Sequence, residues 1–544
     1  MFYDVIVILA LLYFLVNGTV IARNTIGVTG FVAFLLSPLA IAVPLGIVGS
    51  ILYLFWGLSQ AVFVVLLILP ALLSLVSLTK PATPLFLSGA STRLRWIQIM
   101  LLILFFLALG SSLVILLGTQ TFESLLGPWD GMPPLFFIMF FLASLLLVTL
   151  VWVGVPSLLT IILLTTQFLT ALAVALIRFS LGFGFDPILH HAAEQLVLDQ
   201  GAVTPKTFYY LAQYVLVPFF ARVFDASVAA VHQPLTLIIL GLSLPALLII
   251  ALKQYMRNPF MVAVCFFAIP FPHFIMTTPW GLAYGTTFLT LLSSGLATST
   301  RTIHHWILAC MFALFTLMLH PLAGIPAIFF LVILACSLLR RHLLMAITFI
   351  LGELSVPLAF VAQAILSSQF QLSLRIPALN DVLQIVTLPG ALDTRFSPIL
   401  DMIYLVFHNG QWILLVLAAG GFILSFKMVD SRRRAFLWGC GLAAIFITLS
   451  GIITGTVLRI DSLAGFEQQD YAKRIFEIST LFLLPYAAIA LDGLFARIRK
   501  SHYIVRLTTI VMLGGLITTS IYLSYPRNDA YVPSHAYTLS TTDV

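Results

Sequence analysis

Charge is what this sequence has least of. Of 544 residues only 8% are Asp, Glu, Lys or Arg and 61% are hydrophobic, whereas about a quarter of a soluble globular domain is charged. That balance excludes an ordinary water-soluble fold. Cysteine is scarce as well: Cys265, Cys310, Cys336 and Cys440 each fall inside an apolar run, with no CxxC pair and no histidine spaced to complete a zinc site. A disulfide framework and a structural zinc site are excluded with it, and the four thiols read as small core residues. No Walker sequence occurs, no dinucleotide-binding βαβ unit, and no hydrophilic stretch long enough to house a nucleotide domain. "GCGLAA" at 439–444 fits G-x-G-x-x-A, yet no strand pattern precedes it, and small residues packing membrane helices account for it. Repeats and low-complexity tracts are missing too. An enzyme of this composition has to receive its activated substrate from the membrane.

What the chain has in abundance is apolar runs of roughly twenty residues, the length a helix rising 1.5 Å per residue needs to cross about 30 Å of hydrocarbon. The reading is an all-α fold, a polytopic transmembrane bundle of about sixteen crossings, with short amphipathic helices on its extracytoplasmic face. Between 26 and 79, Pro38 and Pro44 leave room for a broken or re-entrant helix. The opening "MFYDVIVILALLYFLVNGTV" lacks a basic n-region and an A-x-A cleavage site, and reads as a retained first helix.

The net charge of +7 comes from 26 basic and 19 acidic residues. Basic clusters at Arg23, Lys80 with Arg93 and Arg95, Lys253 and Arg257, Arg301, Arg340 and Arg341, Lys427 with Arg432 to Arg434, and Arg497 to Lys500 all fit the cytoplasmic side. The remaining loops then fall outside without a parity error: 119–133, 179–230, 270–283, the region of 320, 367–410, 458–475 and the tail from 525. The basic excess is thereby accounted for with no nucleic-acid partner. The chain divides into N-terminal helices (1–178), an outside loop (179–230), further crossings (231–524) and a short tail (525–544). Most carboxylates lie in loops assigned outside, among them Asp186, Glu194, Asp199, Asp225, Asp381, Asp393, Asp401, Asp461, Glu467 and Asp470.

The loop 179–230 is the least lipid-like part. In "LGFGFDPILHHAAEQLVLDQG", Asp186 before Pro187 reads as an N-cap and Gly201 as a stop, which predicts a short helix over 187–200. A second amphipathic run, "TFYYLAQYVLVPFFARVF", carries Tyr209, Tyr210 and Tyr214 and predicts a helix lying along the outer interface. Asp186, His190 and Glu194 stand at i, i+4 and i+8, so one helix face presents two carboxylates and an imidazole, a set that could hold a general base or a divalent metal. A helix cap with a wetted polar face explains the same spacing.

Other candidates are scattered. In "DSLAGFEQQDYAKRIFEISTLFLLP", Lys473 and Arg474 are the one adjacent basic pair assigned outside; Arg offers a fork of donors matched to phosphate, while an interfacial anchor or salt bridges to Asp470 and Glu477 would serve equally. His320 before Pro321 sits where a helix breaks at the outer end of a crossing, either lining a cavity or packed in the core. His273 belongs to another proline-rich turn. Glu353 is the one carboxylate near the middle of a crossing, the feature that supports the alternative reading of a transporter or flippase for lipid-linked sugars or another amphipathic substrate.

At Phe185, Asp186, Pro187 and "HHAAE" the loop resembles the first outside loop of the GT-C superfamily of integral-membrane glycosyltransferases, which includes protein mannosyltransferases and the catalytic subunit of oligosaccharyltransferase. "HPLAG" at 320–324 and "DYAKRIFEISTLFLLP" at 470–485 are similar to runs in such enzymes and in bacterial membrane proteins of like length. The W-W-D-Y-G motif and large C-terminal domain of oligosaccharyltransferases are missing, and several helices precede the Asp loop. The resemblance implies a cell-membrane enzyme with an extracytoplasmic site. Its donor is a sugar on a polyprenyl phosphate and its acceptor is unspecified. By the same resemblance Asp186 would be the catalytic base, acting directly or beside a divalent cation such as Mg²⁺ or Mn²⁺. Lys206, His190, Glu194, His320, Lys473 and Arg474 are expected at the substrate, with Arg474 and Lys473 or Lys206 on the departing phosphate.

Overall fold

The computed structural model describes residues 2–79, 85, 94–204, 208–367, 372–376, 397–427, 430–460, 465–529, 531 and 538. Lys80, Arg93, Lys206, Asp381, Asp393 and Asp461 lie outside the described residues.

A chain this apolar has one economical way to satisfy its backbone in lipid, which is to bond each N–H within its own helix. Helices accordingly make up most of the described structure, and ten of them are long and apolar enough to cross a membrane, or up to twelve if each of two bent pairs is one span. The protein is a multi-pass membrane protein with an all-α bundle. Counting apolar runs at the roughly twenty residues a span requires predicts about sixteen crossings. The difference lies in runs that fold short, such as Ser157–Leu172, Ile303–Leu319 and the nine-residue Pro259–Phe267.

The proline-interrupted region 26–79 resolves into two spans, Phe31–Trp56 and Gln60–Thr79. Pro38 enters at the start of the helix Ser37–Trp56, where its missing N–H costs nothing, and Pro44 is carried inside it. Side chains along Val5–Ile26, Gln60–Thr79 and Trp96–Leu117 remain widely exposed, including Leu9, Leu75, Val76 and Leu107, an apolar belt that lipid would cover.

Neighbouring helices pack as hairpins, Trp96–Leu117 on Pro134–Trp152 and Pro279–Thr300 on Ile303–Leu319. Small residues let backbones close up: a β-carbon at Gly421 would collide with the Tyr486 carbonyl, so Gly410–Ser425 lies tight on Leu484–Ile498. In the "GCGLAA" run, a β-carbon at Gly441 would lie 2.9 Å from the Tyr486 hydroxyl, so its small residues serve close packing there too. The one described sheet is a two-stranded ribbon, Leu372–Leu374 antiparallel to Leu458–Ile460.

The 179–230 region departs from its predicted interfacial form. Its second helix, Leu211–Phe224, is buried along most of its length, packed on Ser37–Trp56, Phe185–Gln200 and Ile303–Leu319. Arg222 at its far end reaches out to Gln60 Oε1 at 2.6 Å, while Tyr214 spends its polar tip on His190 rather than on water. The first helix runs Phe185–Gln200 and ends, as predicted, at Gly201 in the left-handed conformation.

Candidate functional site

Asp186 is not the cap of its helix. The cap is Gly184, with φ 90, and Asp186 sits in the first turn with Pro187 behind it. The first turn leaves backbone N–H groups unpaired at the positive end of the helix dipole, a favourable place for a carboxylate. Gly184 is required twice over: by its φ, and because a β-carbon there would lie 2.7 Å from Met276 Sδ. Phe183, one residue earlier, forms an isolated antiparallel bridge to Thr538. Asp186 is exposed, and no hydrogen bond or ion pair engages its carboxylate among the described residues.

The space it faces is a cavity of about 230 Å³ whose other walls are the segment 272–280 and the helix Gly465–Leu481. Lys473 and Arg474 line it together with Asp186. The remaining charges are paired off: Lys473 Nζ lies 3.4 Å from Asp470, and His273 Nε2 lies 3.1 Å from Glu477. Arg474 has no such partner among the described residues; its guanidinium rests over the Trp280 ring, 5.5 Å from the centroid. The lone acid and the lone guanidinium thus share one cavity.

His320 stands behind Trp280 rather than on the cavity surface. It caps Pro321–Leu338, its ring 5.3 Å from Trp280 and 5.3 Å from Tyr210. Its Nδ1 accepts the Leu322 N–H at 3.3 Å, so the proton of the neutral ring is on Nε2. Burial, followed by repulsion from Arg474 and His190, pushes its pKa down to about 3. His320 Nε2 and Trp280 Nε1 are both buried donors without an acceptor among the described residues. Tyr210 holds its place with a left-handed backbone, φ 65, and an N–H bond to the Leu319 carbonyl.

The predicted three-residue face divides. His190 is part-buried, its Nδ1 3.0 Å from the Tyr214 hydroxyl, and burial takes its pKa down to about 4. Glu194 does not reach the cavity. It is fully buried, with Oε1 accepting from Gln213 Nε2 at 2.8 Å and Oε2 2.7 Å from His232 Nδ1. Its spacing from Asp186 is legible in the sequence, but Leu211–Phe224 and Val228–Thr236 close over that end of the face. Desolvation raises its pKa to about 8, the Gln213 bond opposing. No substrate contact remains open to it. Lys206 lies outside the described residues. Glu353 is half-buried on His342–Ser367 and lines neither this cavity nor its wall.

For a divalent cation the donor set does not fit. Among the described residues no three His, Cys, Asp or Glu side chains converge, and the acids nearest Asp186 are engaged by Lys473 and His273.

Sequence reasoning missed Trp280 and His232, and gave Tyr210 an interfacial place it does not occupy. The "TTPWG" turn is legible as proline-rich, but nothing in it announces that its tryptophan stacks on an arginine from a helix near the other end of the chain. His232, a lone imidazole in an apolar run, is the available signal for a buried polar partner. No family model, curated protein or solved structure matches this chain.

Proposed function

We propose that this protein is a GT-C-type membrane glycosyltransferase that transfers a sugar from a polyprenyl-phosphate donor to an extracytoplasmic acceptor. The observation that carries the reading is the shared cavity of Asp186 and Arg474, two groups of opposite charge brought together from distant parts of the sequence. The distribution of basic clusters supports an outward-facing cavity at the cell membrane.

Transfer needs a base on one side of the anomeric carbon and an anion-stabilising wall on the other. Asp186 accepts the proton of the acceptor hydroxyl as its oxygen bonds to that carbon. The bond from carbon to phosphate oxygen breaks, and its electron pair leaves on the polyprenyl phosphate. Arg474 and Lys473 meet that charge from the cavity wall, with the Trp280 ring backing the guanidinium. The donor arrives laterally through lipid, so no nucleotide pocket is needed.

The test is sugar transfer by purified protein from polyprenyl-phosphate sugars, comparing wild type with Asp186→Asn. The variant should insert and accumulate normally and lose transfer. Transfer that survives the substitution removes Asp186 from catalysis and the proposal with it.

A further inference from the structure

The polar network behind the cavity has a proton count that its geometry fixes. His232 Nε2 lies 2.9 Å from the Thr277 carbonyl, which only accepts, so Nε2 carries a hydrogen. His232 Nδ1 and Glu194 Oε2 are 2.7 Å apart and must hold one further proton between them. Both side chains are essentially without solvent exposure. The groups that face Glu194 are His191 on its own helix, Gln213 and Tyr214 on Leu211–Phe224, and His232 on Val228–Thr236. None is a fixed cation. A buried ion pair with no further charge to support it is costly, and the neutral arrangement, carboxylic acid donating to imidazole, avoids that cost.

The network also joins the two walls of the cavity. Glu194 lies two turns beyond Asp186 on the helix Phe185–Gln200, and Thr277 stands between Met276 and Thr278, both cavity residues. Thr277 Oγ1 in turn accepts the Thr236 N–H at 3.1 Å and donates to the Gln233 carbonyl at 3.3 Å. We infer that Glu194, kept protonated, and His232 are positioning residues: they form a proton-bearing strut that fixes the Asp186 helix against the 272–280 wall. This rests on the reading of the cavity as the site of transfer.

The strut opens when the proton is lost. A Glu194 carboxylate facing the lone pair of neutral His232 Nδ1 puts two acceptors 2.7 Å apart, and they must separate. The desolvation that raises the Glu194 pKa to about 8 places that event in the mildly alkaline range. Glu194→Gln replaces the acid O–H with an amide N–H and keeps an oxygen for Gln213, so it preserves the bonds and removes the titration.

The experiment has two arms on the full-length protein in detergent. Infrared difference spectroscopy should show the carbonyl band of a protonated carboxyl group at neutral pH, lost on raising the pH through about 8 and absent from Glu194→Gln. Transfer from polyprenyl-phosphate sugars should fall over the same interval in wild type and stay level in Glu194→Gln. Glu194→Ala should lower kcat on the order of 10²-fold, the size of effect a 1 Å misplacement produces, with little change in KM. A missing carboxyl band, or an alkaline fall unchanged in Glu194→Gln, overturns the shared-proton strut. Full transfer by Glu194→Ala, with Asp186→Asn inactive, overturns the positioning role and leaves the transferase reading standing. Wild-type protein that transfers no sugar sinks the transferase reading and the positioning role together, while the infrared arm still decides the proton.

Discussion

Replacing Arg474 with Ala separates its structural from its chemical contribution, because the structure gives it so little to hold. The side chain touches the Trp280 face at 5.5 Å and has no ion pair among the described residues, while its neighbours Lys473 and Glu477 are tied to Asp470 and His273. The cost to the fold is therefore one cation–π contact, about 0.5–1 kcal/mol. If the guanidinium instead meets the charge that develops on a leaving phosphate, losing it removes an electrostatic stabiliser worth about 2.7–4 kcal/mol, or 10²–10³ in kcat. The expected result is a small drop in thermal midpoint and a collapse of transfer at saturating donor. Arg474→Lys should fall between, since it keeps the charge and loses the planar fork and the stack. A rise in KM with unchanged kcat would mean that Arg474 holds the donor without favouring its reaction. His320 offers an internal check: Arg474 is the second cause, after burial, of its lowered pKa, so the substitution should raise that pKa. Wild-type transfer by Arg474→Ala would refute the assignment of the phosphate to this wall.

Gly184→Ala forces a β-carbon onto a backbone at φ 90, beside Met276 Sδ and 3.2 Å from Pro187 Cδ. The methionine can swing away and the φ cannot, so about 1–3 kcal/mol of strain should appear as a lower thermal midpoint, with transfer reduced because the turn carrying Asp186 moves; unchanged values of both would refute this. Stability against pH should show two limbs. His190 and His191 titrate at about 4 when folded and His320 at about 3, below the usual 6.5, so unfolding takes up protons in acid; their contribution is complete above 6.5 and lost as the pH falls toward 4. Glu194, raised from 4.5 to about 8, contributes fully below 4.5 and loses that contribution as the pH rises toward 8. The two windows overlap, with three imidazoles gaining while one carboxyl loses, so thermal midpoints should rise to a maximum near 6.5 and fall above it; a flat profile would show that these groups are not desolvated as described.

Membrane spans are legible because lipid dictates both length and composition, and Gly201 is legible as a helix stop because only the left-handed conformation is needed there. The sequence pattern starts that helix two residues late, since Pro187 is tolerated inside a first turn as well as at its first position. The tyrosine-rich run reads as interfacial because its polar tips need hydrogen-bonding partners that water would supply; His190 and the surrounding helices meet that need from inside. Asp186 and Arg474 stand out as residue types in unusual places, but their shared cavity depends on how Phe185–Gln200 and Gly465–Leu481 dock, and no local pattern encodes that. The same holds for Glu194, whose partners Gln213 and His232 come from two other helices.

The charge arrangement argues that these features belong together. Inside the cavity, Lys473 lies beside Asp470 and His273 beside Glu477, which leaves Asp186 and Arg474 as the two charged side chains of its lining without an ion pair among the described residues. Behind it, burial holds His190, His191 and His320 below the range where they would be cationic at neutral pH, and holds Glu194 in its acid form. An ionised Glu194 would set a buried negative charge two turns behind Asp186 and add negative potential behind the site, which the proposed phosphate-bearing donor would have to overcome. Cationic imidazoles beside Asp186 would have the opposite fault, stabilising its carboxylate and making it a poorer base. A neutral, hydrogen-bonded layer under one acid and one guanidinium avoids both, which is why the proton on Glu194 would matter to the proposed transfer without touching it.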